Sequence, residues 1–291
     1  MITELSILIP TYNDACFTLV RDLHHQAELA DITYEIIVGD DGSTSAEILA
    51  ENRHINQLPH CRLWERGQNC GRAIIRNELA NEAQYEWLLF IDCDIEIPST
   101  NFITKYLLCD QVDITNGGVR VEGDRATHRY NLRYLYEKKA EGHHTPDKRQ
   151  KVGFQQFRST NFLIRRSCML AHPFDSRFRH YGYEDVLFGK ELEQNHIEIM
   201  HIDNPVCFVR LENNDIFLSK TEEALRTLHT FRNDLKGYSR LIEYANGPHA
   251  FFIRLWHSLF GELEKRILIS KHPLLWIYSL YRLGYYTSLK D

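Results

Sequence analysis

The chain has 291 residues, 43% of them hydrophobic and 25% charged, enough for one large α/β domain with a sizeable core. A net charge of −6 argues against a general nucleic-acid footprint, and no low-complexity run or internal repeat marks the chain as disordered or solenoidal. Seven cysteines, an odd number with no C-x-x-C pair, argue against a disulfide framework or a zinc ribbon and for a reducing compartment.

The N-terminus enters a strand at once. No positive segment followed by an apolar core precedes it, so no signal peptide is expected. No apolar run reaches the roughly 18 residues that a spanning helix needs, and a cytoplasmic location is expected. Leu5-Ser6-Ile7-Leu8-Ile9 is a short strand ended by Pro10. Tyr34-Glu35-Ile36-Ile37-Val38-Gly39 is a second, ended by Asp40-Asp41-Gly42-Ser43. Cys61-Arg62-Leu63-Trp64 is a weaker third, and Glu86-Trp87-Leu88-Leu89-Phe90-Ile91 a fourth, ended by Asp92. Helical stretches at 14–29, 44–53 and 70–83 lie between them. Short apolar strands alternating with helices predict a parallel sheet covered on both faces.

The middle, 112–211, is less regular. Val112-Asp113-Ile114-Thr115 and Thr160-Asn161-Phe162-Leu163-Ile164 read as strands, 141–151 as an exposed mobile loop, 185–193 as a helix and 198–202 as a strand. Residues 217–245 carry one long helical pattern. In the last segment Phe251, Phe252, Leu255, Trp256, Leu259, Phe260 and Leu263 recur at helical spacing, and Pro273 restarts an aromatic stretch. Residues 248–291 hold a net charge of +3, which leaves −9 for residues 1–247.

Three strands end in polar or turn residues: Thr11-Tyr12-Asn13-Asp14, Asp40-Asp41-Gly42-Ser43 and Asp92-Cys93-Asp94. Any one of them serves as an ordinary turn or helix cap. Together, at the carboxyl ends of one sheet, they mark the edge where open α/β sheets bind ligands. Two carboxylates one residue apart can hold Mg²⁺ or Mn²⁺ along with a diphosphate, because hard cations take oxygen ligands and leave room for phosphate and water. The cation then neutralises charge on a departing diphosphate. Gly182-Tyr183-Glu184-Asp185, before a helix, supplies a candidate general base as well as a helix cap.

Pro10-Thr11-Tyr12-Asn13, Asp40-Asp41-Gly42-Ser43, Asn69-Cys70-Gly71-Arg72, Asp92-Cys93-Asp94 and Glu184-Asp185 occur in the order and spacing of family 2 glycosyltransferases. Over residues 4–211 the sequence resembles an inverting enzyme of the GT-A fold. The resemblance implies an α/β domain over 1–211, with a mixed, mostly parallel central sheet flanked by helices and a helical extension over 212–291. Residues 1–115 would form the nucleotide-sugar half and 116–211 the acceptor half. It places Pro10, Thr11, Tyr12, Asp41 (or less readily Asp40), Asn69, Gly71, Arg72, Asp92 and Cys93 against a nucleotide-sugar, a UDP-sugar in the first instance. Asp94 would hold Mg²⁺ or Mn²⁺. Asp185 would be the catalytic base, and Glu184 would bind the acceptor or orient that base.

One departure stands out. The resemblance implies a histidine metal ligand after the Glu-Asp pair, and Phe208 stands there instead. His201, seven residues earlier, is the nearest substitute. The departure keeps open a degenerate chain that binds nucleotide-sugars as a scaffold. A nucleotidyltransferase also remains open, although the Gly-rich basic loop that such enzymes carry near the N-terminus has no counterpart here. The expected acceptor is a hydroxyl of a polysaccharide or a lipid-linked glycan, with the 141–151 loop helping to select it. The basic aromatic tail is a candidate for packing on the domain, for a homodimer face or for peripheral membrane contact.

Overall fold

The computed structural model describes residues 1–208 and 210–290. The first half follows the alternation in the sequence: β1 (Glu4–Thr11), α1 (Phe17–Leu29), β2 (Thr33–Asp40), α2 (Ala46–Asn52), β3 (Cys61–Glu65), α3 (Arg72–Glu82) and β4 (Trp87–Ile91). Strands β1, β2 and β4 are apolar and buried on both faces, as central strands of a helix-covered sheet must be. All pairings among β3, β2, β1 and β4 are parallel. The β1–β2 register ends with Thr11 opposite Asp40, so the motifs after both strands emerge at one edge.

After β4 come β5 (Ile95–Glu96), α4 (Phe102–Leu107), β6 (Ile114–Asn116), β7 (Val119–Val121), α5 (Arg125–His128), α6 (Leu132–Ala140) and α7 (Pro146–Val152). Next are β8 (Asn161–Arg165), α8 (Arg166–Ala171), α9 (Glu184–Gln194), β9 (Ile199–His201) and β10 (Val206–Phe208). The main sheet has seven strands in the order β3-β2-β1-β4-β8-β6-β9, with β8 antiparallel to both neighbours. A small sheet, β5-β10-β7, stands beside it. Asn161 joins the two, donating to the carbonyls of Gly118 and Asn204 at 2.9 and 2.8 Å.

Apolar clusters cover both sheet faces. Under α9, the Phe90 and Phe162 rings stack at 4.9 Å and those of Phe174 and Phe188 at 4.0 Å. This packing fixes the helix that begins with Glu184 and Asp185.

Three expectations need correction. Residues 141–151 are not a mobile loop: a 3₁₀ turn at Glu141–His143 leads into α7. Arg149 of α7 is 4% exposed and donates to the carbonyls of Asn116 at 3.1 Å and Ile202 at 2.7 Å, so a buried cation pins the segment. The helical pattern over 217–245 divides into α10 (Asn214–Thr230) and α11 (Arg240–Ala245), with Gly237 at φ +83° in the break. In the tail, α12 (Ala250–Ile269) does not bury its apolar row. It turns Glu264 and Leu268 inward and leaves Phe252, Leu259 and Leu263 more than half exposed. Helix α13 (Leu275–Ser288) does pack: Ile277, Tyr278 and Tyr281 join Leu132, Leu218 and Leu268 in a third apolar cluster.

Candidate active site

Loop chemistry at the sheet edge shapes a cleft of about 480 Å³. Asn13, at φ +51°, accepts through Oδ1 from the backbone N–H groups of Thr44 and Ser45 at 2.8 and 3.1 Å. Its own N–H donates to Ser43 Oγ at 2.7 Å. The loops after β1 and β2 are thereby laced together. Asp41 carries the lacing to α3: its two carboxylate oxygens accept from Cys70 N–H at 3.0 Å and Gly71 N–H at 2.8 Å. Burial still holds the Asp41 carboxyl above its ordinary range, against those bonds and Arg66. Gly71 sits at φ +96°, and a Cβ there would lie 3.0 Å from the Arg179 backbone. A left-handed residue and a close approach both call for glycine at the head of α3.

Pro10, Thr11, Tyr12, Asp41, Asn69, Gly71, Arg72, Asp92, Cys93 and Asp94 all line this cleft. Asp40 does not. Its Oδ1 accepts from Ser43 N–H at 2.7 Å and closes the turn. Arg76, one turn beyond Arg72 on α3, also lines the cleft and is 1% exposed. It donates to Asp92 Oδ1 at 2.7 Å and lies 3.6 Å from Glu184 Oε1, so one buried guanidinium ties the Asp92 triplet to the head of α9. Sequence reasoning missed Arg76, although its i+4 spacing from Arg72 puts both on one helix face.

Asp94 makes no hydrogen bond or ion pair among the described residues. Burial raises its carboxyl, and repulsion from Asp92 adds to that, with Arg133 and Arg72 opposing. Among the described residues no three His, Cys, Asp or Glu side chains group as a metal cage. His201 stands away from this cleft and is corrected as a ligand. Arg149 donates to its Nδ1 at 2.9 Å and its Nε2–H donates to the Gly153 carbonyl at 3.1 Å. Burial, helped by the Arg149 charge, pushes its pKa down to about 4, so it stays neutral with both nitrogens engaged. Phe208 ends β10 with Arg133 stacked over its ring at 4.2 Å.

A second cavity, about 320 Å³, adjoins the cleft. Arg72, Asp92, Tyr181 and Lys220 line both. Glu184 and Asp185 open onto it from the first turn of α9, after Tyr183 in the left-handed region at φ +67°. Asp185 Oδ1 accepts from Val186 N–H at 2.8 Å. Burial first, and the neighbouring Glu184 second, push its carboxyl up to about 6. That is the range of a working general base at neutral pH. Glu184 is 4% exposed and lies between Arg72, at 3.7 Å, and Arg76. Residues of α6, α10 and α13 complete the wall, among them Tyr136, Lys220, Tyr278 and Arg282. The α7 segment, expected to shape this region, is not part of the wall.

Comparison with known proteins identifies the fold and the family. A chondroitin synthase of Escherichia coli is 28% identical over 229 residues, 66% of this chain. The chain spans 32% of that relative's length. A mannosyltransferase of Pyrobaculum calidifontis, solved with GDP-Man and Mn²⁺, superposes with a TM-score of 0.58 at 14% identity, over 97% of this chain and 85% of its own. Staphylococcus aureus TarS (residues 1–349), solved with UDP-GlcNAc, gives 0.53 at 16% identity, over 97% and 89%. Both likenesses are of fold: a GT-A sheet flanked by helices. Residues 6–170 match the sequence profile of Glycosyl transferase family 2, and the chain belongs to that family.

Proposed function

We propose that the chain transfers a sugar, with inversion, from a nucleotide-sugar to an acceptor hydroxyl. The observation that carries this reading is the adjoining of two cavities through Arg72, Asp92, Tyr181 and Lys220, one holding the strand-end motifs and the other Asp185. The donor lies in the first cleft, a UDP-sugar by the resemblance, with Asp41 and Thr11 at the base and Arg72 at the diphosphate. Asp185 takes the proton of the acceptor hydroxyl. That oxygen bonds to the anomeric carbon from the face opposite the nucleotide, the anomeric carbon–phosphate oxygen bond breaks, and the nucleoside diphosphate leaves. Glu184, held by two arginines, positions the head of α9.

The residues fit a divalent cation held largely by the substrate. Among the described residues Asp94 offers a carboxylate without a hydrogen-bond or ion-pair partner, Asp92 is engaged by Arg76, and no third ligand joins them. Mg²⁺ or Mn²⁺ bound by Asp94 and the diphosphate would supply charge neutralisation on the leaving group. The same incomplete ligand set favours, as a second reading, a chain that binds nucleotide-sugars without turning them over. Family membership sets the nucleotidyltransferase reading aside.

Residues 1–115 form the donor half and 116–211 the acceptor half in this reading, with 212–291 roofing the acceptor cavity. No helix among the described residues is long and apolar enough to cross a membrane. The exposed row of α12, carried on a basic tail, suits a peripheral contact with an anionic membrane, where the acceptor is a lipid-linked or surface glycan. A homodimer face is its alternative use.

Calorimetry of UDP with and without Mn²⁺, followed by a hydrolysis screen of UDP-, GDP- and dTDP-sugars, tests the reading. UDP binding together with donor turnover is the expected result. Binding without turnover of any donor supports the scaffold, and absence of all nucleotide binding overturns both.

A further inference from the structure

Among the described residues, the acceptor cavity holds one cation that no carboxylate answers. Four of its five basic side chains are matched. Arg133 and Lys220 share Glu212, Arg158 lies 3.3 Å from Glu137, and Arg72 lies 3.7 Å from Glu184. Arg282, on α13, has no carboxylate within ion-pair distance among the described residues. Its guanidinium lies 5.8 Å from the Tyr136 ring centre and 5.5 Å from that of Tyr278, it donates to Tyr136 Oη across a long 3.5 Å, and the Tyr183 hydroxyl is its other hydrogen-bond partner.

A guanidinium has five N–H donors in a planar fork. Two hydroxyl partners leave most of these donors open to whatever enters the cavity. Withdrawing a cation from water is costly unless a counter-charge is met, and ring contacts at such distances offset little of that. Arg282 lines the cavity that Asp185 lines and does not line the donor cleft. Its missing counter-charge therefore belongs to the acceptor and not to the nucleotide.

Resting on the reading of this cavity as the acceptor site, we infer that the acceptor carries an oxyanion group, a carboxylate or a phosphate, which Arg282 clamps while the attacking hydroxyl faces Asp185. The guanidinium fork suits either anion. Tyr136, Tyr183 and Tyr278 flank the fork, and its place on α13 makes the C-terminal helix part of acceptor recognition.

Ligand-observed NMR titrations of the full chain, with and without UDP, test this. The probes are methyl glucoside, methyl glucuronide and methyl glucoside 6-phosphate. One charged-assisted fork contact predicts that a charged glycoside binds about tenfold tighter than the neutral one. Whichever charged probe binds better identifies the anion. Arg282→Gln brings the charged probes to the neutral level, and Arg282→Lys, which keeps the charge without the fork, retains part of the preference. Equal binding of all three probes, no binding of any, or an unchanged preference in Arg282→Gln overturns the inference. UDP affinity measured on the same samples reports on the donor cleft, so a failed donor site and a failed anion site are told apart.

Discussion

Replacing Asp185 by Asn should silence transfer and stabilise the fold at the same time. The carboxyl is pushed from 3.8 up to about 6, because burial and Glu184 disfavour its charge. A group whose folded pKa lies above its unfolded one binds a proton more readily when folded. Its cost to stability is then full above about pH 6, shrinks as pH falls through the folded pKa, and is gone below 3.8. The shift of about two pH units sets a ceiling of about 3 kcal/mol. Asn carries no charge and still presents an oxygen to Val186 N–H, so it removes the penalty and keeps the cap. Urea unfolding at pH 8 and pH 4 reads this directly: Asp185→Asn is more stable at pH 8 and equal to the unsubstituted chain at pH 4. Transfer falls by about 10²- to 10⁴-fold, the usual contribution of a general base. The kcat/KM of the unsubstituted chain rises with pH through about 6 and then levels. A variant no more stable at pH 8 refutes the charge penalty, and one that keeps full transfer refutes the base.

Arg76→Met leaves Asp92 and Glu184 without their shared guanidinium, and breaking such a buried pair costs about 3–5 kcal/mol. Chemical denaturation measures this, and UDP affinity should fall with it. Gly71→Ala forces a Cβ against the Arg179 backbone at φ +96°, a strain of about 1–3 kcal/mol. Its thermal midpoint drops and its UDP titration weakens, because the same turn presents two N–H groups to Asp41. The double change Leu255→Ser, Leu259→Ser on α12 abolishes co-sedimentation with phosphatidylglycerol vesicles and leaves the melting curve in place, since both side chains are exposed. If it dissociates a dimer instead, the row is a protein interface.

Much of the sheet-edge cleft was legible in the sequence for a local reason. Strand-end motifs act where the chain puts them: a run such as Leu88-Leu89-Phe90-Ile91 makes a buried strand, and the residues that follow must emerge at its carboxyl end. Pro10 to Tyr12, Asp41, Asn69 to Arg72 and Asp92 to Asp94 accordingly share one cleft. Asp40 and Asp41 are adjacent and chemically alike, and only the turn decides which one lines the cleft. The 141–151 segment reads as polar and exposed, and nothing in its local pattern announces that Arg149 will be buried under four backbone carbonyls and the His201 imidazole. His201 and the hydrophobic row of α12 misled for the same reason, since burial is a property of what packs on top.

The Asp92-Cys93-Asp94 triplet, its strand and its edge of the sheet follow from the sequence by itself, because hydrophobic period and turn chemistry are local. That Asp92 is held by Arg76, that Asp185 is raised toward neutrality, and that Arg282 reaches the Asp185 cavity from 97 residues further along the chain were decided only by the tertiary structure. Each of these depends on which charges are brought together out of water, and a chain reveals that only once it is folded.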